Sequence, residues 1–297
     1  MTKGDPSIPD SRLEQQRATA GHSMPQTNRL DISTYYDRFM YDAVIDEYYG
    51  HSDFHNFGLW RPETNSASDA CRALVRELVE MSPPHPSRVL EVGCGKGAGT
   101  RELRAHWPQA EITAIDISET QIETCRQNCP DASFLLMDAC KMTFDESSFD
   151  VLISIEAAFH FPSRRVFLEN ARRVLRPGGR LVLQDVLYLK EDEQRRPLPT
   201  SGESVLDPAA LLPSENYLSG PEEYETLLHD TGFEQCRIVD ATVEGPRRFY
   251  RHFLTHLANR QAWDGADPEH IRRLRIGARL FARQLNYCLL VSADTPR

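Results

Sequence analysis

Three glycines at alternate positions, Gly93, Gly95 and Gly97, punctuate the run VLEVGCGKGAGT over residues 89–100. A short apolar strand leads into them and a helical pattern leaves them. Glycine is needed where the backbone takes positive φ or a ligand comes closer than a Cβ allows. Two ligand classes use such a turn. A dinucleotide rests its pyrophosphate on the helix N-terminus; a sulfonium nucleoside lays its amino-acid portion and ribose along the turn. A plain strand-to-helix junction has the same glycines. Acids at fixed places favour a ligand. Asp116 ends the second strand, where its carboxylate can accept from both ribose hydroxyls. Asp138 ends the third, level with an adenine amino group or acting as a helix cap. Glu91 lies inside the first strand, where burial is costly unless the carboxylate is paired; support of an ammonium group through the turn explains it. His160, in EAAFHF just past the fourth strand, is the candidate general base, since an imidazole titrates near neutrality. Asp185, in LVLQDV, ends the fifth strand on the same edge and could orient His160 or hold a substrate hydroxyl. The structural alternatives are a strand-capping histidine and an aspartate that fixes a loop.

These side chains need strands that end at one sheet edge. The pattern supplies strands over 88–92, 111–117, 133–137, 149–155 and 180–186. Helices fall over 68–81, 97–106, 119–128 and 164–175, the last stopped by Pro177-Gly178-Gly179. Ser118 followed by Gln121 suits a helix start. Such alternation predicts a parallel sheet with helices on both faces. The rhythm lapses over 187–217, then resumes with a helix at 221–230, a strand at 234–243, a mostly helical stretch at 247–285 interrupted around 264–268, and a strand at 286–293. Residues 1–28 are rich in Pro, Ser and Gln and predict a mobile tail. Aromatic side chains crowd the following stretch, from Tyr35 and Tyr36 to Phe57 and Trp60, first as helix and then as loops around Gly50 and Gly58.

In order and at the usual spacing, VLEVGCGKG, ITAIDIS, MDA, FDVLISIEAAFHF and RVLRPGG resemble the motifs of class I S-adenosylmethionine (SAM)-dependent methyltransferases. The likeness is greatest to the small-molecule branch of UbiE-like enzymes and natural-product O-methyltransferases, including those acting on glycosides. It implies an α/β, Rossmann-like sheet of seven strands, ordered 3-2-1-4-5-7-6 with the last strand antiparallel. It also implies a methyltransferase domain at 29–297, with an aromatic N-terminal lid at 29–67 and substrate-cap segments at 187–217 and 246–285. SAM is then the cofactor and S-adenosylhomocysteine (SAH) the product. The resemblance assigns Gly93, Gly95 and Gly97 to the cofactor turn, Asp116 to ribose, Ile117 to the adenine face, and Asp138 with Ala139 to the adenine edge. It places Gln121 near the cofactor and Glu156 beneath the methionine portion. Phe57-Gly58-Leu59-Trp60 resembles a lid over that end, and Tyr35 or Tyr36 a tyrosine that reaches the cofactor carboxylate. Histidine matches at His160 and an acid at Asp185, whereas Phe159 stands where some of these enzymes carry a further histidine.

Bulk composition narrows the partners. The 297 residues carry a net charge of −10, which disfavours a nucleic-acid backbone or an anionic membrane. No apolar run reaches the roughly 18 residues of a membrane helix, and the N-terminus has no signal-peptide core. A cytoplasmic enzyme with a small-molecule acceptor is expected; homo-oligomerisation stays open. The seven cysteines suggest reduced thiols, and Cys125 with Cys129 reads as packing, so no metal is expected. Arg247, Arg248 and Arg251 read as a solvated helix face rather than a carboxylate site. The expected reaction is methyl transfer to a hydroxyl, in secondary metabolism, with nitrogen or carbon acceptors as alternatives. An NAD(P)-dependent oxidoreductase shares the turn but not RVLRPGG or the C-terminal strand pair. A non-catalytic SAM-binding protein has no need of every glycine and acid kept here.

Overall fold

Continuous apolar runs build the centre of the sheet. In β4 (Phe149–Ile155) every residue before Ile155 is buried, as both faces of a parallel strand demand. Its parallel neighbours are β1 (Arg88–Val92) and β5 (Leu175–Tyr188). Outward from β1 lie β2 (Glu111–Asp116) and β3 (Ser133–Leu136), also parallel. Beyond β5, β7 (Leu285–Asp294) is antiparallel and pairs in turn with β6 (Glu234–Asp240). The order is β3-β2-β1-β4-β5-β7-β6, the Rossmann-like topology that the motifs implied. The computed structural model describes residues 32–189, 212–260 and 267–297. The expected tail at 1–28, the cap residues 190–211 and the helix interruption at 264–266 lie outside the described residues.

Helices cover both faces. On one, α2 (Ala43–Tyr48), α3 (Ala67–Glu80), α8 (Arg248–Arg260) and α9 (Pro268–Gln284) join a core with Val89, Val151, Val182 and Val186. On the other, α6 (Arg164–Val174) and α7 (Pro221–Asp230) pack on Leu90, Leu152, Leu181 and Leu183. Each such buried leucine or valine stabilises the fold by about 1.5–3 kcal/mol relative to exposure. α4 (Ala98–His106) follows the glycine turn, and α5 (Glu119–Asn128) covers β2 and β3 through Ile122 and Cys125. α1 (Ile32–Met40) buries none of its residues completely. Among the described residues no helix is long and apolar enough to cross a membrane.

Several boundaries differ from the sequence reading, three of them for visible reasons. β5 starts at Leu175, because the chain passes from α6 straight into pairing with Phe149, and a register shift precedes Val151. β6 stops at Asp240, whose Oδ1 accepts the Thr242 N–H at 2.8 Å and turns the chain into a π turn over Val243–Arg247. α3 begins one residue early, because Ser66 caps it by accepting the Asp69 N–H.

Candidate active site

The strands deliver their C-terminal ends to one edge. There Gly93, Gly95 and Gly97 have φ of 77°, 55° and 83°, in the left-handed region where a side chain is strained. A Cβ on Gly93 would sit 2.5 Å from the Ala157 Cβ, so the turn after β1 and the turn after β4 can approach only with glycine there. The Gly95 N–H donates to Asp116 Oδ2 at 3.0 Å, and Oδ1 accepts the Ser118 N–H at 3.0 Å. Asp116 thereby holds the turn's shape, and burial pushes its carboxyl up. Gln121 lies beneath, its Oε1 3.5 Å from where a Gly95 Cβ would stand. Its amide donates to Asp37 Oδ1 at 3.3 Å, which also accepts the Ser118 hydroxyl at 2.6 Å. Ile117 stays 45% exposed beside this group.

Two buried carboxylates lie behind the turn without an ion-pair partner among the described residues. Glu91 is 2% exposed, and the Thr100 hydroxyl donates to it; burial raises its pKa to about 7. α4 passes so close that a Cβ on Gly99 would meet its Oε1. Glu156 follows β4 with φ of 53°. Its Oε2 accepts the Phe57 N–H at 2.7 Å, Gln184 hydrogen-bonds it, and burial raises its pKa to about 8. Gln184 Oε1 is buried and has no hydrogen-bond partner among the described residues. Buried acids short of positive charge, beside a turn stripped of Cβ atoms, fit a ligand that carries ammonium and sulfonium groups.

His160 ends the turn Ala158–His160 that follows β4. The Tyr36 hydroxyl is hydrogen-bonded to His160 Nε2, and the two rings meet edge to face with centroids 5.1 Å apart. Burial, with the nearby Tyr35 hydroxyl and Glu156, holds the Tyr36 phenol well above its usual pKa. Tyr35 packs against Tyr36 at 5.1 Å and is pushed up to about 12 by burial. A cavity next to this turn is bordered by Phe159, Tyr188, Leu212, Pro213 and Tyr217.

Several expected residues go elsewhere. Asp185 is fully buried in an ion pair with Arg164 at 2.8 Å and accepts the Tyr224 hydroxyl at 2.8 Å. Alternation along β5 turns it to the α6–α7 face, where Arg164, Tyr224 and the Val186 N–H hold its oxygens. Trp60 also turns inward. Its indole N–H donates to the Phe57 carbonyl at 2.8 Å and its ring lies 4.5 Å from His252. Phe57 contributes its backbone N–H to Glu156, while its ring packs on Phe249 and Tyr250. Asp138 caps the turn Ala139–Lys141 by accepting the Cys140 N–H at 2.8 Å, over a buried Ala139. Arg248 donates to the Trp60 carbonyl. Asp37, Lys96, Gln184 and Asn216 were not singled out in the sequence. Only Lys96, inside GCGKG, stood in a readable motif.

The region 90–183 matches the model of a methyltransferase domain. The 27-O-demethylrifamycin SV methyltransferase of Amycolatopsis mediterranei (strain S699) is 30% identical over 217 residues, 69% of this chain and 74% of that protein. An O-methyltransferase of Penicillium expansum is 30% identical over 242 residues, 77% of this chain and 81% of that one. This chain belongs to the class I SAM-dependent small-molecule methyltransferases. The cyclopropane synthase MmaA2 of Mycobacterium tuberculosis shares the fold, with a TM-score of 0.68 at 20% identity over 90% of this chain and 98% of that one.

SAM is the cofactor of this methyltransferase, and the segment that begins with α1 is clasped onto the glycine turn. Lys96 Nζ donates to the Met40 carbonyl at 3.2 Å and pairs with Asp53 at 3.1 Å and Asp46 at 3.6 Å. Its ammonium also lies 5.0 Å from the Tyr41 ring centroid. One lysine of the glycine motif thus ties the ends of α1 and α2 and the loop before Phe57 to the site.

Proposed function

We propose that this methyltransferase methylates a hydroxyl of a small organic molecule, in secondary metabolism, with His160 as the general base. One observation carries the reading: the His160 ring stands at the carboxyl edge with its Nε2 on the Tyr36 hydroxyl, and the preceding residue, Phe159, borders a small cavity with Tyr188 and Tyr217. In the tautomer whose Nε2 is unprotonated, the Tyr36 hydroxyl donates to Nε2, and that tautomer is the state in which an imidazole takes a proton. The Penicillium relative is an O-methyltransferase by name and the Amycolatopsis relative a 27-O-demethylrifamycin SV methyltransferase, which agrees with a hydroxyl acceptor.

The glycine turn, Asp116 and Gln121 would hold the nucleoside of SAM, with Ile117 and Asp138 at the adenine. Glu91 and Glu156 would face its positive groups, with Tyr35 nearby. Bound SAM supplies a methyl carbon activated by sulfonium. The chain's own residues then align the acceptor, worth up to about 7–11 kcal/mol in favourable cases. Transfer of that methyl group would release SAH, and the acceptor hydroxyl would replace the Tyr36 hydroxyl on Nε2, where His160 would accept its proton. Tyr188 and Phe159 wall the acceptor from water.

The test is product analysis with SAM carrying a deuterated methyl group. The acceptor panel would span phenols, hydroquinones and sugar hydroxyls, each beside its amine isostere. Label on oxygen is expected. Label found on nitrogen or carbon alone would overturn the hydroxyl reading.

A further inference from the structure

The turn that carries His160 is gripped by a side chain far away in sequence. Asn216 is buried, and its Nδ2 donates to the carbonyls of Phe159 at 3.2 Å and Phe161 at 2.7 Å. These residues flank His160 on both sides. The amide orientation is fixed by chemistry, because two carbonyls require the NH2 end and the Arg164 N–H, at 2.6 Å, requires Oδ1. The Arg164 guanidinium then holds the Asn216 carbonyl, the Val186 carbonyl and Asp185. Asp185 is anchored in turn by the Tyr224 hydroxyl from α7 and by the Val186 N–H at 2.8 Å. Every donor in this chain of contacts has an acceptor, and Arg164 is only 2% exposed.

We infer that Asn216 is a positioning residue for His160, locked by the buried Arg164–Asp185 pair, and that it couples the substrate-cap residues 212–217 to the turn that carries the base. The same stretch borders the cavity: Leu212, Pro213, Asn216 and Tyr217 face it together with Phe159 and Arg164. The residues that would receive the acceptor and the residues that aim the imidazole therefore share one hydrogen-bonded frame. A breach of the frame frees the His160 ring from a fixed direction. A misplacement on the order of 1 Å costs roughly a hundredfold in rate. The acid expected beside the base thus acts at one remove, through Arg164 and Asn216. Only the consequence for turnover rests on the proposed role of His160; the positioning itself does not.

The experiment follows the His160 ring nitrogens by NMR in full-length, SAH-saturated protein with 15N-labelled histidine. His160→Asn assigns the signals, and Tyr36→Phe gives the position that Nε2 takes without its partner. In Asn216→Ala and Asn216→Asp the Nε2 resonance should move toward that of Tyr36→Phe, while SAH affinity stays within about twofold of wild type. Asp at 216 sets an anion against two carbonyls and should have the larger effect. Tyr224→Phe, which keeps Asn216 and removes one bond to Asp185, should shift the resonance less and in the same direction; it serves if the Asn216 variants do not fold. An unmoved His160 resonance in every variant that folds, with only a lowered melting temperature, would show a purely structural amide and overturn the inference. Intact turnover in His160→Ala would instead remove the base reading and leave the positioning result standing.

Discussion

Glu156 shows how one side chain can set the site's response to pH. Burial raises it to about 8 and Glu91 to about 7, against an ordinary 4.5. A carboxyl raised in the folded state binds its proton more tightly there than when unfolded. Its contribution is complete below pH 4.5 and is lost as pH climbs through the folded values. Glu156→Gln should therefore abolish much of the fall in melting temperature of the free protein between pH 6 and 9, measured by calorimetry. A parallel decline in variant and wild type would show that Glu156 does not titrate there. Gly93 sets the other limit. A Cβ there meets Ala157 at 2.5 Å with φ at 77°, so Gly93→Ala should destabilise by roughly 2–4 kcal/mol, read as a lowered denaturant midpoint. The positions of those glycines, Asp116 and His160 at the sheet edge, and of Glu91 inside β1, were legible from residue type and strand pattern. The orientations of Trp60 and Asp185 were not. Sequence places them near the edge but does not say which way a side chain points. At Asp185 a single step of strand parity separates the substrate face from the α6–α7 face.

Among the elements, α1 is the least secured and the most involved. None of its residues is fully buried, yet Asp37 reaches Ser118 and Gln121, Tyr36 reaches His160, and Met40 lies by Gly95. Its attachment combines these polar contacts with the half-buried Phe39 packed on the core, and a segment with so little burial opens without global unfolding. Asp37→Ala should speed amide exchange over residues 32–40 with little change in melting temperature, and SAH should slow that exchange in the wild type. Equal protection of α1 and β4 in the free protein would contradict this. Lys96→Met, which removes the buried ammonium shared by Asp46 and Asp53, should loosen the same stretch and weaken SAM binding by about tenfold or more. The aromatic run after residue 31 was readable as a distinct segment, but its polar fasteners were not. Asp37 and Asn216 belong to no motif, and their partners are 81 and 57 residues away.

At the scale of the molecule, the topology followed from alternating elements and the order of motifs, because a parallel sheet leaves few routes for the chain. What remained hidden was the placement of charge. The buried acids Glu91 and Glu156 lack a cation among the described residues, so a cationic ligand should lower their pKa values and release protons on binding. SAM should raise the melting temperature more at pH 8 than at pH 6. SAH, without the sulfonium, should show a weaker pH dependence. Matching thermal shifts for the two ligands at both pH values would argue against the buried acids as their counter-charge.

The central claim, that His160 removes the proton of a hydroxyl acceptor, is tested most directly by comparing His160→Ala with wild type on one hydroxyl acceptor and its amine isostere at saturating SAM. Turnover of the hydroxyl compound should fall by about 10²–10⁴. That of the amine, whose lone pair attacks before any proton leaves, should fall by about tenfold or less. Equal losses on both compounds, or full turnover of the hydroxyl acceptor by the variant, would contradict the claim.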